Sequence, residues 1–88
     1  MWIEARMKRG LKVGYQKGQT VYVQSAPRTL SDGSQRWIVF NGNCQESNPV
    51  LDTERAKVFV ETVRVGGKLK VAADQTRIEA EYTKLLSS

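Results

Sequence analysis

Arg6, Lys8, Arg9, Lys12 and Lys17 put five cations into the twelve residues 6–17 with no anion among them, and Arg28 and Arg36 extend the series. Cations at this density neutralise phosphates and release the counterions condensed on nucleic acid. Three aromatic residues, Tyr15, Tyr22 and Trp37, are interleaved with them, and aromatic faces stack on unpaired bases. A two-stranded ribbon carrying Arg28 and Arg36 also has the dimensions to enter a major groove. These ten residues form the candidate binding set, for nucleic acid or for an acidic protein partner. Each aromatic taken singly fits a core position at least as well as a binding face.

The charge is one-sided. Residues 1–40 carry seven cations against two anions, Glu4 and Asp32, and the rest of the chain carries seven of each, so the net charge of +5 belongs to the first part. A field of one sign on half of a small domain attracts polyanions or acidic surfaces.

Other chemistry finds little support. There is no histidine, which removes the commonest general base and metal ligand, and one cysteine without histidine cannot build a structural zinc site. Cys44 has no cationic neighbour between Asn41 and Asn48 to lower its pKa, so it reads as an inert thiol. Asp52 with Glu54 and Glu79 with Glu81 read as capping and surface carboxylates rather than a metal-dependent nuclease site. Gly10, Gly14 and Gly18 are regularly spaced, but no Gly-Lys-Ser or Gly-Lys-Thr follows, so they are turn and bulge positions and not a phosphate loop. The expectation is a non-enzymatic protein without cofactor. A lone cysteine fits a reducing cytosol, and no apolar run approaches the roughly 18 residues of a membrane span or resembles a signal peptide.

The elements that position these residues follow from pattern. The 88 residues suffice for one domain. Segments 11–16, 19–26 and 35–41 are rich in β-branched and aromatic residues and read as strands, with Trp2–Met7 a candidate fourth. Asp32-Gly33 predicts a two-residue hairpin turn and Lys17-Gly18 a weaker one. Pro27 belongs at an edge or bulge. On that pairing Val21, Val23, Ile38 and Phe40 share the face under the helices, and Leu11, Val13, Tyr15, Tyr22, Trp37 and Val39 share the other. A one-residue slip would exchange these faces.

Residues 41–49 form the main loop. Beyond it, Asp52 as cap and Ala56, Phe59, Val60 and Val63 at helical spacing predict a helix ended by Gly66-Gly67, although the β-branched run 58–65 also suits a hairpin turning at those glycines. A second helix carries Ile78, Tyr82 and Leu85 on one stripe, with Asp74 or Thr76 as cap and Arg77 spaced to pair with Glu81. The expected fold is α+β, an antiparallel sheet of three to four strands with one or two C-terminal helices on one face.

The order of strands, Asp-Gly hairpin and helix resembles the arm-type DNA-binding domains at the start of phage integrases, and also small phage inhibitors of bacterial defence systems. The likeness lies in element order, with no matched residues. It implies the same two functions as the charge: a nucleic-acid-binding module using the basic segment and hairpin, or a small inhibitor or adaptor docking its basic face on an acidic surface of a nucleic-acid-processing partner.

Overall fold

The computed structural model describes residues 1–11, 14–42 and 51–86, so Lys12, Val13, Cys44 and most of the loop around it lie outside the described residues. In chain order come β1 (Trp2–Met7), β2 (Thr20–Gln24), β3 (Arg28–Thr29), β4 (Gln35–Phe40), β5 (Leu51–Thr53), a 3-10 helix (Ala56–Phe59), β6 (Val60–Thr62), β7 (Arg64–Val65), β8 (Lys68–Leu69) and α1 (Gln75–Leu86). The architecture is α+β as expected, an antiparallel sheet in the order β3-β4-β2-β1-β6 with β5 also on β4, and α1 packed against it.

The candidate fourth strand is central. β1 pairs with β2 on one side and β6 on the other, and it places Trp2 on one face and Ile3, Ala5 and Met7 on the opposite one, all buried. Segment 11–16, expected as a strand, contributes only the single bridge Leu11 to Tyr15 among the described residues. Its Tyr15 turns inward under the sheet.

The Asp32-Gly33 hairpin forms, but with three loop residues instead of two. Gly33 N–H donates to the Leu30 carbonyl (3.0 Å) and Leu30 N–H to the Ser34 carbonyl (2.9 Å), leaving Ser31, Asp32 and Gly33 as the loop, with Gly33 at φ +87°. A turn closed by a left-handed glycine is the common three-residue solution. The additional residue shifts β4 by one position against β2: Ile38 and Phe40 lie on the helix face as expected, but Val21 and Val23 join Val39 on the opposite one and Tyr22 comes to the helix side. The expected placing of Val21, Val23 and Tyr22 is therefore corrected. Between the pairs Val23–Val39 and Arg28–Arg36, four residues including Pro27 stand against two, so proline sits in a bulge where no ladder donor is needed.

Both faces of the sheet are covered. One buries Trp2, Ile38, Phe40 and Ala72 under Ile78 and Tyr82 of α1, with Tyr22 and Leu85 at the margin. Tyr82 packs edge to face on both Trp2 and Phe40, with Trp2 and Tyr82 at 5.2 Å between centroids, and Trp2 and Phe40 lie tilted against each other. The helix stripe is the expected one, and Arg77 pairs with Glu81 at 3.3 Å. Asp74 supplies the first carbonyl to Ile78 N–H (2.9 Å), whereas Glu79, read from sequence as a capping or surface carboxylate, accepts from the Trp2 indole at 2.7 Å. The other face buries Ala5, Met7, Val21, Val23 and Val39 with Tyr15, Ala56 and Val60.

Residues 52–64 do not form the expected helix. Asp52 pairs with Ile38 in β5, the chain crosses beneath the sheet as the 3-10 turn, and Val60, Glu61 and Thr62 pair with β1. Helical spacing and β-branching compete in this segment, and the unpaired edge of β1 decides for the strand. The hairpin turning at Gly66-Gly67 is present, shorter than the alternative reading had it. Among the described residues no helix is long and apolar enough to cross a membrane.

Tyr15 gives a pH test of this packing. Its hydroxyl donates to the Val39 carbonyl at 3.4 Å, and burial pushes the phenol up to about 12. An unfolded tyrosine ionises near pH 10, so the folded state holds this proton more tightly. The stabilisation is whole below about pH 10 and is lost as pH rises through about 12. Absorbance titration of the three tyrosines should show a late component that Tyr15→Phe removes. An unchanged late component in that variant would place Tyr15 in solvent.

Candidate functional site

Where β1 ends, the chain is held from both sides. Met7 N–H donates to the Gln19 carbonyl (2.9 Å), Gly18 N–H to the Met7 carbonyl (2.8 Å), and Lys8 N–H to the Phe59 carbonyl (2.8 Å). The last bond docks Lys8 and Arg9 beside the 3-10 turn. That turn is anchored by Ala56, fully buried, and by half-buried Phe59, which leaves Arg55, Lys57 and Val58 facing outward. Lys8, Arg9, Arg55, Val58 and Phe59 together line a shallow cavity of about 390 Å³.

Two cation–π contacts fix this ridge. The Arg9 guanidinium carbon lies 4.6 Å from the Phe59 ring centroid, and Lys57 Nζ lies 4.2 Å from that of Trp37. Each contributes about 0.5–1 kcal/mol at an exposed site and restricts a long side chain without consuming its charge. Among the described residues no carboxylate lines the cavity, although Glu54 is exposed beside Arg55 in sequence. The two anions of the basic half are engaged elsewhere. Glu4 pairs with Lys70 at 3.4 Å, and Asp32 accepts from the Ser34 hydroxyl (2.6 Å) and N–H (2.9 Å), bonds that hold its carboxyl below the usual range.

The expected site residues do not form one surface. Lys8 and Arg9 are on the ridge, and Lys17 is exposed on the turn whose backbone approaches Gly10. Arg6 is exposed on β1 across from Glu61. Arg28 and Arg36 face each other across the β3–β4 hairpin and are not among the residues lining the cavity. The aromatics separate. Tyr15 is buried at 2% exposure, Tyr22 is half-buried beside the α1 cluster, and half-buried Trp37 lies under Lys57. The shared aromatic stacking face is thus corrected: no two of these rings are presented together to solvent.

Comparison with protein-family models, curated proteins and solved structures finds no match for this chain. The site is therefore read from its own geometry. Arg55 and Lys57 are its members that sequence reasoning missed, because they lie in the charge-balanced part of the chain within a segment expected to be helical. A groove of about 840 Å³ between Met1, Trp2 and the outer side of α1 is larger but mostly apolar, and its Glu79 is taken by the Trp2 indole. Among the described residues no three carboxylates or thiols gather to hold a metal ion.

Proposed function

We propose that this chain is a non-enzymatic binding module that holds the phosphate backbone of nucleic acid on the ridge formed by Lys8, Arg9, Arg55 and Lys57. The observation that carries the reading is the gathering of Lys8, Arg9 and Arg55 around Phe59 in one concavity, with Lys57 of the same 3-10 turn held over Trp37. Because the rings are covered by their own cations, the ridge offers charge to phosphates and no open platform for bases. Backbone contact of this kind is electrostatic and independent of sequence.

Titration of a labelled duplex at several salt concentrations tests it. With four phosphate contacts the log–log slope should be roughly −3 to −4, at about −0.9 per phosphate. Absence of binding at about 50 mM salt, where such contacts are strongest, would overturn the reading.

A second reading has one observation in its favour. Val58 is 63% exposed in the middle of the ridge, and an aliphatic side chain ringed by cations suits an acidic protein surface with an apolar centre. The inhibitor or adaptor function would follow from such docking. Val58→Ser separates the two, since it should leave duplex affinity unchanged and weaken a protein complex.

A further inference from the structure

Residues 64–69 leave the main sheet as a separate arm. Val63 N–H donates to the Glu4 carbonyl (3.0 Å) and Glu4 N–H to the Lys70 carbonyl (2.9 Å), so β1 pairs with the chain just before and just after the excursion. The neck is closed by Lys70 N–H on the Val63 carbonyl (2.9 Å), and Val71 resumes pairing with Ile3. Between these points β7 and β8 pair only with each other, Arg64 with Leu69 and Val65 with Lys68. Gly66 at φ +60° and Gly67 at φ +80° make the tight turn that needs left-handed backbone at both positions. All six residues are exposed, Val65 by 64% and Leu69 by 39%. Nothing in the fold requires an aliphatic side chain at these positions.

The composition of the arm is one-signed. From Thr62 to Ala73 there is no anion, and Arg64, Lys68 and Lys70 are cations. Lys70 is committed to Glu4 at the neck, which leaves Arg64 and Lys68 on the projecting part. Arg64 Nη1 donates to the Gly67 carbonyl at 3.0 Å, so its guanidinium is held toward the tip. A ribbon three residues deep projects about 10 Å. The DNA major groove is about 12 Å wide and 8.5 Å deep and admits a two-stranded ribbon, whose apolar side chains can meet thymine methyl groups there. β6 joins the arm to the ridge, and about 16 Å of extended chain separates Phe59 from Arg64, a spacing comparable to one groove wall and the adjoining groove.

We propose that the β7–β8 arm enters the major groove of a DNA duplex whose phosphate backbone lies on the ridge, with Arg64, Lys68 and Val65 meeting base edges. This rests on the nucleic-acid reading of the ridge and adds a choice of duplex. The major groove of an RNA duplex is too deep and narrow for side chains to read, so an inserted arm favours DNA, whereas ridge contacts alone do not.

The test titrates DNA and RNA duplexes of the same 20-base-pair sequence at one salt concentration. The parent should bind DNA about tenfold more tightly than RNA, and Arg64→Ala with Lys68→Ala should bring the two affinities to within about twofold. Arg77→Ala with Lys84→Ala, the same charge change on α1, should leave the DNA to RNA ratio as in the parent. Lys68→Ala alone, at one exposed position, should lower the ratio and repeats the test should the double variant not fold. Equal affinities in the parent, or an unchanged ratio in the arm variants, would overturn the arm while the ridge reading stands. Binding to neither duplex would overturn both.

Discussion

Trp2→Ala should cost about 3–5 kcal/mol of folding stability, the largest effect expected of any single substitution in this chain. The side chain is 1% exposed and packs against Phe40 and Tyr82, and its indole N–H donates to Glu79 at 2.7 Å. The backbone of the same residue is clasped by Gln75, whose Oε1 accepts from Trp2 N–H (2.8 Å) while Nε2 donates to the Trp2 carbonyl (2.7 Å). Trp2 therefore joins the central strand to the start of α1 through both its ring and its main chain. A domain of this length has a total stability of about 4–13 kcal/mol, so the variant should be largely unfolded or melt far below the parent. Urea unfolding followed by far-ultraviolet circular dichroism measures it. Trp2→Phe, which keeps a ring against Tyr82 and returns exposed Glu79 to water, should fall between the two. A loss under about 1 kcal/mol for Trp2→Ala would mean that α1 is not docked through this residue.

That residue also shows where sequence reading stops. Alternation identifies a strand when one face meets water, but Trp2 and Ile3 are buried on opposite faces, so β1 lacks the period-two pattern and looks like a weak candidate. By contrast, the stripe of Ile78, Tyr82 and Leu85 has one buried side, and α1 was legible from it. The Asp32-Gly33 turn was legible as a turn, but its length was not, because Asp-Gly serves two-residue and three-residue loops alike. One residue of difference was enough to exchange the faces of Val21, Val23 and Tyr22 relative to Ile38 and Phe40. In segment 52–64, Ala56, Phe59, Val60 and Val63 satisfy helical spacing while the β-branched run satisfies a strand, and only the free edge of β1, a tertiary fact, chooses between them.

The candidate site was legible in part for a related reason. Lys8 and Arg9 announce themselves by local charge density, which a sequence displays directly. Arg55 and Lys57 become neighbours of that segment only because the 3-10 turn crosses under the sheet and Phe59 accepts from Lys8 N–H. The burial of Tyr15 and the cover on Trp37 are likewise properties of packing, and they change the reading from base stacking to phosphate contact.

Reversing charge on the ridge should have the largest effect on binding. Arg9→Glu with Lys57→Glu removes two phosphate contacts and places two anions in their stead, and the affinity for a duplex at about 50 mM salt should fall by at least about 100-fold. Arg77→Glu with Lys84→Glu makes the same change in net charge on the outward side of α1, where Arg77 engages exposed Asp74 and half-buried Glu81. Its effect on binding should stay within about threefold, and on stability within about 1 kcal/mol. The comparison of these two double variants in one duplex titration isolates position from net charge. A large loss on the ridge with a small loss on the helix is the expected result, and equal losses in the two would contradict the ridge as a binding site.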